Sequence, residues 1–206
     1  MVEHYLRRRA ASLYTPLPDL LEVYEREWRN EGFLSWEHEA ARKAAGRAAL
    51  RRFWHEEEAS GDRPAHVERE FGVTLSSVCG ATRLRGRWDR VDETAAGAVI
   101  VDYKSSDVRD AARADLRAAE SLQLKLYALA WREMLGRLPA GVELRFLESG
   151  VTGRHRPTDR DAADATEAVR SAGEGIRARR FAATPSHRAC RHCAYRQICP
   201  YTASRD

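Results

Sequence analysis

The sequence predicts a mixed α/β or α+β domain, in which helices pack on a central sheet containing both parallel and antiparallel strands. Apolar residues recur at helical spacing through the first sixty residues, and the pattern then changes to period two before helices and strands alternate. The length, 206 residues, suffices for one domain with a proper core, or for one domain plus a small appendage.

Leu17 through Trp28 sets Leu20, Leu21, Tyr24 and Trp28 at helical spacing behind Pro16 and Pro18, with Gly32 as the stop. A second helix is expected from about Trp36 to Glu58, broken at Gly61-Asp-Arg-Pro64. His66–Leu75 carries Val67, Phe71, Val73 and Leu75 and reads as a strand. Thr82–Asp92 and Ala98–Lys104 follow as two more, joined by a turn around Glu93-Thr-Ala-Ala-Gly97. A helix is expected over about Ala118 to Leu135, closed by Gly136. Gly141–Glu148 then supplies a fourth strand, and Asp159 to Arg180 a long, arginine-rich helix. The order is helices-β-β-β-α-β-α plus a cysteine-bearing tail. It divides as 1–62 helical, 63–182 core and 183–206 tail, in one compact unit.

Charged residues are 32% of the chain, which argues for a folded globular protein rather than a disordered one. No apolar run approaches the roughly 18 to 20 residues of a membrane span. Met1-Val-Glu-His-Tyr-Leu-Arg-Arg-Arg9 lacks the apolar stretch of a signal peptide, so a cytoplasmic protein is expected. Net charge is +4, and lysine occurs only at positions 43, 104 and 125. Arginine suits two-pronged phosphate binding, although codon usage in a GC-rich genome gives the same bias.

The chemistry concentrates in Gly86-Arg-Trp-Asp-Arg-Val-Asp92 and Val99-Ile-Val-Asp-Tyr-Lys-Ser105. A hairpin turning at Ala95-Ala96 puts Val91 opposite Ile100, Asp89 opposite Asp102 and Arg87 opposite Lys104. Opposed carboxylates destabilise a sheet unless a positive charge lies between them, and a divalent cation supplies it. Oxygen-only ligands fit Mg²⁺ or Mn²⁺ rather than zinc, with the Tyr103 carbonyl, taken to lie at the sheet's edge, as a further ligand. Lys104 projects from the same strand face as Asp102, placed to orient water or steady charge on a phosphate. The bland alternative is two ordinary surface aspartates, but Asp102 ends a buried-type apolar run, where a carboxylate is costly to place.

These motifs, followed by Leu122-Gln123-Leu-Lys-Leu-Tyr127-Ala-Leu-Ala, resemble the RecB-type branch of the PD-(D/E)XK nucleases, and more closely the nuclease domain at the C-terminal end of UvrD/Rep-like helicases. The resemblance covers roughly residues 20 to 201. It implies a restriction-endonuclease-like core, metal binding by Asp89 and Asp102, a catalytic Lys104, and a site lined by Gln123 and Tyr127. By position alone Tyr127 reads as core and Gln123 as exposed. Glu68 matches a glutamate common on the first strand of such domains, or else is an exposed strand residue. The family's histidine in a Gly-x-x-x-His helix start has no match here; His4 and His38 qualify by residue type only.

Cys190-Arg-His-Cys193-Ala-Tyr-Arg-Gln-Ile-Cys199-Pro200 resembles the C-terminal half of the iron–sulfur staple of several such nucleases. A [4Fe–4S] cluster normally takes four thiolates, and Cys79 is the only other cysteine. Zinc held by the three cysteines with His192 or His187 is an alternative, as is no metal. Arg188, Arg191 and Arg196 are candidates for DNA phosphates, or a solvated basic tail.

The expected function is Mg²⁺- or Mn²⁺-dependent cleavage of DNA, as the nuclease module of a helicase or recombination-repair system. The chain has no Gly-x-x-x-x-Gly-Lys-Ser/Thr loop, so any ATP-driven motor is a partner in cis or in trans. Two other readings are a non-catalytic DNA-binding module with an incomplete metal site, and a small redox or zinc protein.

Overall fold

The computed structural model describes residues 1–75, 82–191 and 193–204. Helices α1 (Val2–Ala10), α2 (Leu17–Arg26) and α3 (Trp36–Ser60) lead into strands β1 (His66–Leu75), β2 (Thr82–Thr94) and β3 (Gly97–Lys104). Helices α4 (Ala111–Glu120) and α5 (Leu122–Leu135) precede β4 (Gly141–Phe146) and β5 (Val151–His155). Helix α6 (Asp159–Arg177) and the short α7 (His187–Arg191) follow. The five strands form one sheet in the order β1-β2-β3-β4-β5. Only the β3–β4 pair is parallel. A parallel pair needs a crossover, and α4 and α5 provide it.

Two apolar clusters cover the two faces of this sheet. Leu124, Tyr127, Leu129 and Trp131 of α5 pack with Ile100, Val142, Leu144 and Phe146 on one side. Tyr5, Leu6, Leu20, Leu50 and Phe53 from the first three helices pack with Val67 and Tyr103 on the other. Successive β3 residues therefore serve opposite layers, as strand alternation requires.

Local signals set the element boundaries. Ser35 Oγ accepts the His38 amide at the start of α3, and Gly61 closes that helix in the left-handed region at φ +69°. Helix α2 stops at Arg26 rather than Trp28. The single helix expected over 118–135 is two helices, because Ser121 adopts an extended ψ of 108° and its side chain caps α5 by accepting from Leu124. Strand β5 was not expected: it is short, polar and reversed from β4 by Leu147–Gly150, with Gly150 at φ +75°. Its Gly153 lies against the α4 backbone at Ala114, where any Cβ would overlap the chain.

The β2–β3 hairpin has the expected register, with Val91 opposite Ile100 and Thr94 opposite Gly97. The ladder ends at Arg90–Val101, however, so Asp89 and Asp102 are not a cross-strand pair. Beyond that point β2 stays paired to β1 alone. Lys104 is instead level with Phe146 of β4, and Arg87 with Glu70 of β1. Tyr103 lies on the middle strand and not at the sheet's edge.

The β1–β2 ribbon carries a fault at the same level. Glu68 sits at φ +51° and drops out of a ladder that pairs Val67 with Arg90 and Arg69 with Trp88. On one side of it Val67 packs with the α1–α3 layer, while Phe71, Val73, Leu75 and Trp88 pack with α5. The period-two alternation thus slips across Glu68 and Asp89. A left-handed glutamate costs roughly 1–2 kcal/mol, which the surrounding pairing must overcome.

Candidate active site

Where β2 and β3 part, the side chains of β1, β2, β3 and α5 converge. Asp89 Oδ2 accepts the Tyr103 amide at 3.0 Å, taking the place of the missing ladder partner. Asp102 is buried, 2% exposed, at the end of the apolar run Val99-Ile-Val101. Its Oδ1 accepts from Gln123 Nε2 at 2.7 Å. Lys104 Nζ lies 2.7 Å from Oδ2, an ion pair too poorly aligned to count as a hydrogen bond. The same ammonium donates to Gln123 Oε1 at 2.7 Å.

Gln123 therefore acts as a bridge, accepting from the lysine and donating to the carboxylate. Its Nε2 also donates to Tyr127 Oη at 2.8 Å, one helical turn further along α5. Ser121 starts that helix, so the cap that breaks the crossover also aims Gln123 at the sheet. Gly86, three residues before Asp89, leaves room for the Phe71 ring, which a Cβ there would overlap. Phe71 packs against Trp88 with ring centroids 4.7 Å apart, and so seats the residue next to Asp89.

Glu68 joins this group through the fault in β1. Arg87 Nε lies 2.5 Å from its carboxylate. Burial pushes the Glu68 carboxyl up, Arg87 opposes this, and Glu3 and Asp89 add to it. Burial likewise pushes the Asp102 carboxyl up, against the pull of Lys104 and reinforced by Asp89. The Tyr127 hydroxyl is raised by burial, lowered by the Gln123 hydrogen bond, and raised again by Asp102, Asp89 and Glu68. All three carboxylates thus act on one hydroxyl, with Lys104 and Arg87 as the adjoining cations.

Asp102 Oδ2 and Glu68 Oε2 are both buried without a hydrogen-bond donor. Such oxygens are costly unless a charge meets them, and an all-oxygen donor set suits a hard divalent ion. Strand geometry turns the N–H and C=O of a residue to the same side, so the Tyr103 carbonyl faces the gap left by β2. Among the described residues no group of three or more His, Cys, Asp or Glu side chains is gathered closely enough to hold a metal. The fit is therefore to two aspartates with backbone oxygen, not to a cage of side chains. A cleft of about 280 Å³ opens beside Lys104, lined also by Arg117, Ser121 and Phe146.

The chain matches the model of the PD-(D/E)XK nuclease superfamily over residues 1–200. It belongs to that superfamily. Its members are usually hydrolytic nucleases that use divalent metal ions, and the superfamily implies DNA as substrate. The five-stranded mixed sheet with helices on both faces is consistent with the restriction-endonuclease-like fold. No curated protein matches the chain. A solved structure titled "Crystal structure of SSO0001" aligns over 99% of this chain and 98% of its own, at 14% identity and a TM-score of 0.48.

The remaining candidates lie elsewhere. His4 is exposed on α1, and His38 Nδ1 accepts the Leu34 amide at the start of α3. Cys79 and His192 fall outside the described residues. Cys190 Sγ accepts the Ala203 amide at 3.4 Å, Cys193 is exposed, and Cys199 is half-buried. The described tail, with His187 exposed, does not assemble a closed set of metal ligands. Arg188 and Arg191 are exposed, while Arg196 donates to the Arg191 carbonyl at 3.2 Å. Among the described residues no helix is long and apolar enough to cross a membrane.

Arg87 is the site neighbour that sequence reasoning misplaced. The hairpin register set it against Lys104, whereas its partner Glu68 comes from β1. The β1–β2 register sets Arg87 against Glu70, and the contact with Glu68 is the diagonal one, two residues along β1.

Proposed function

We propose that this chain is a Mg²⁺- or Mn²⁺-dependent deoxyribonuclease with Asp89 and Asp102 as metal ligands and Lys104 as the catalytic cation. The observation that carries the reading is the buried Asp102 carboxylate, with one oxygen held by Gln123 and the other lacking a hydrogen-bond donor beside Lys104. A bound divalent ion would supply Lewis acidity at the phosphodiester and lower the pKa of water.

The chain's own groups do the positioning. Gln123 fixes the Lys104 ammonium and the Asp102 carboxylate relative to one another, so the cation is held where charge builds on a phosphate oxygen. Tyr127 holds Gln123 in turn. Asp89 is set by the Tyr103 amide, which leaves the Tyr103 carbonyl facing the same gap as a third oxygen donor. Glu68, at the ribbon fault, provides a further carboxylate for a metal-bound or attacking water.

Beyond this chemistry, the motif resemblance supports a RecB-like nuclease module serving a UvrD/Rep-like helicase in DNA repair, and the N-terminal residues, without a signal-peptide pattern, support a cytoplasmic place for it. For the tail, Cys190, Cys193 and Cys199 would hold a [4Fe–4S] cluster, or zinc, only with a fourth ligand. Iron and zinc content and the absorption near 400 nm of purified protein decide between these and no metal.

The test incubates the chain with single- and double-stranded DNA and Mg²⁺ or Mn²⁺, beside Asp102→Ala and Lys104→Ala. Cleavage by the parent and none by either variant is expected. Cleavage that survives both substitutions would remove the site, and binding without cleavage would favour a non-catalytic DNA-binding module.

A further inference from the structure

The part of β2 that leads up to Asp89 has no role so far. From Thr82 to Trp88 it pairs only with β1, and one face of this ribbon is buried: Phe71, Val73, Leu75 and Trp88 belong to the α5 cluster. The opposite face is exposed and carries Arg83, Arg85 and Arg87 in a row, with Thr74, Gly72 and Glu70 beside them on β1. Alternate residues of a strand lie roughly 6.8 Å apart, comparable to the phosphate repeat of an extended polynucleotide backbone. Gly72 adds no side chain beside the middle arginine, and the Arg83 guanidinium lies over it, 3.5 Å from where a Cβ would stand.

Charge on this face is not internally balanced. Arg83 and Arg85 form no ion pair among the described residues, and Arg87 meets Glu68 at the edge of the carboxylate group. The row lies on the ribbon face turned away from α5 and reaches the carboxylate group through Arg87 and Glu68, at the fault where the alternation of the ribbon slips. A solvated ribbon needs alternating polar residues, but it does not need three of one sign ending at a carboxylate cluster.

We infer that Arg83 and Arg85 form a phosphate track that carries the backbone of the cleaved DNA strand to Asp89, with Arg87 as its last station. This inference rests on the nuclease reading above and adds the path of the substrate to it. The guanidinium groups bind phosphate without reading sequence, so the track confers affinity and direction rather than base specificity.

The experiment measures binding of a fluorescent single-stranded oligonucleotide in EDTA, where cleavage is silent, across a salt series. The proteins are the parent, the double variant Arg83→Gln/Arg85→Gln, and a control, Arg137→Gln/Arg160→Gln, at exposed arginines near the far end of α5 and the start of α6. Each lost single-strand phosphate contact reduces the slope of log affinity against log salt by about 0.7, so the track variant is expected to lose about 1.4 and to bind more weakly at low salt. The control keeps the parental slope. Thermal melts verify that both variants are folded. A parental slope in the folded track variant overturns the track and leaves the nuclease reading standing. Equal losses in track variant and control also overturn it, as general electrostatics. No salt-dependent binding by the parent overturns the track, and the cleavage assay with metal decides the nuclease reading separately.

Discussion

The two faces of β3 carry buried charge in opposite ways. Behind it, Arg90 is 1% exposed and donates to Glu57 at 2.6 Å and to Asp92 at 2.7 Å, and Arg145 donates to the same Glu57 oxygen at 3.1 Å. In front, Asp102 has one poorly aligned lysine and a glutamine, with Asp89 as a like-charged neighbour, and Asp89 in turn acts on Glu68. The rear group pairs each cation with carboxylates. The front group gathers carboxylates and is short of positive charge. Glu57 Oε2 lacks a hydrogen-bond donor as Asp102 Oδ2 does, so the supply of cations is what separates the two groups: two arginines share Glu57 at the rear, and one lysine meets Asp102 in front.

The largest expected break in this comparison is Asp102→Asn. Losing the front charge is expected to lower metal-dependent cleavage on the order of 1000-fold while the protein remains folded, checked by single-turnover assay and circular dichroism. At the rear, Arg90→Met removes the buried cation shared by Glu57 and Asp92 and leaves Glu57 to Arg145, and it is expected to cost about 3 kcal/mol in urea unfolding. Equal tolerance of the two substitutions by the fold would erase the contrast between the faces.

A third buried carboxylate sharpens the rule. Burial would raise Asp161, but hydrogen bonds from Thr158, His155 and Lys125 outweigh it and hold the carboxyl well below its usual range. Its folded pKa is depressed, so its stabilising effect is complete above about pH 4 and is lost as pH falls through the folded value. Urea midpoints measured from pH 5 downwards should show that loss, and Asp161→Asn should flatten it. The same change keeps an amide oxygen to accept the Thr158 amide, so the capping box that starts α6 is weakened and not lost. The smallest effect is at the ribbon fault. Glu68→Gly relaxes a left-handed backbone and is expected to stabilise the apoprotein by about 1 kcal/mol, while Glu68→Gln at the same φ should not. A melting temperature unchanged by glycine would mean the backbone there carries no strain.

Much of this arrangement was legible in the sequence. Alternation fixed the first four strands, and the turn at Ala95-Ala96 set the β2–β3 register, because hairpin pairing is local. Asp102 and Lys104 share a face by strand period, and Gln123 and Tyr127 by helix period, so each pair was visible from spacing. The fork was not, since a register does not say where pairing stops. The cap at Ser121 was hidden inside a continuous helical pattern, and β5 is too short and polar to stand out. The Glu68 fault had no signal either, because nothing in Val67-Glu-Arg69 announces a positive φ.

The bond from the Tyr103 amide to Asp89 has a consequence beyond positioning. An amide in the middle of a sheet is normally guarded by the neighbouring strand and exchanges its hydrogen only when the domain opens. This one is guarded by a side chain instead. Its hydrogen is thus a built-in gauge: whatever draws the Asp89 carboxylate away uncovers one backbone proton at the heart of the fold, while its neighbours stay shut.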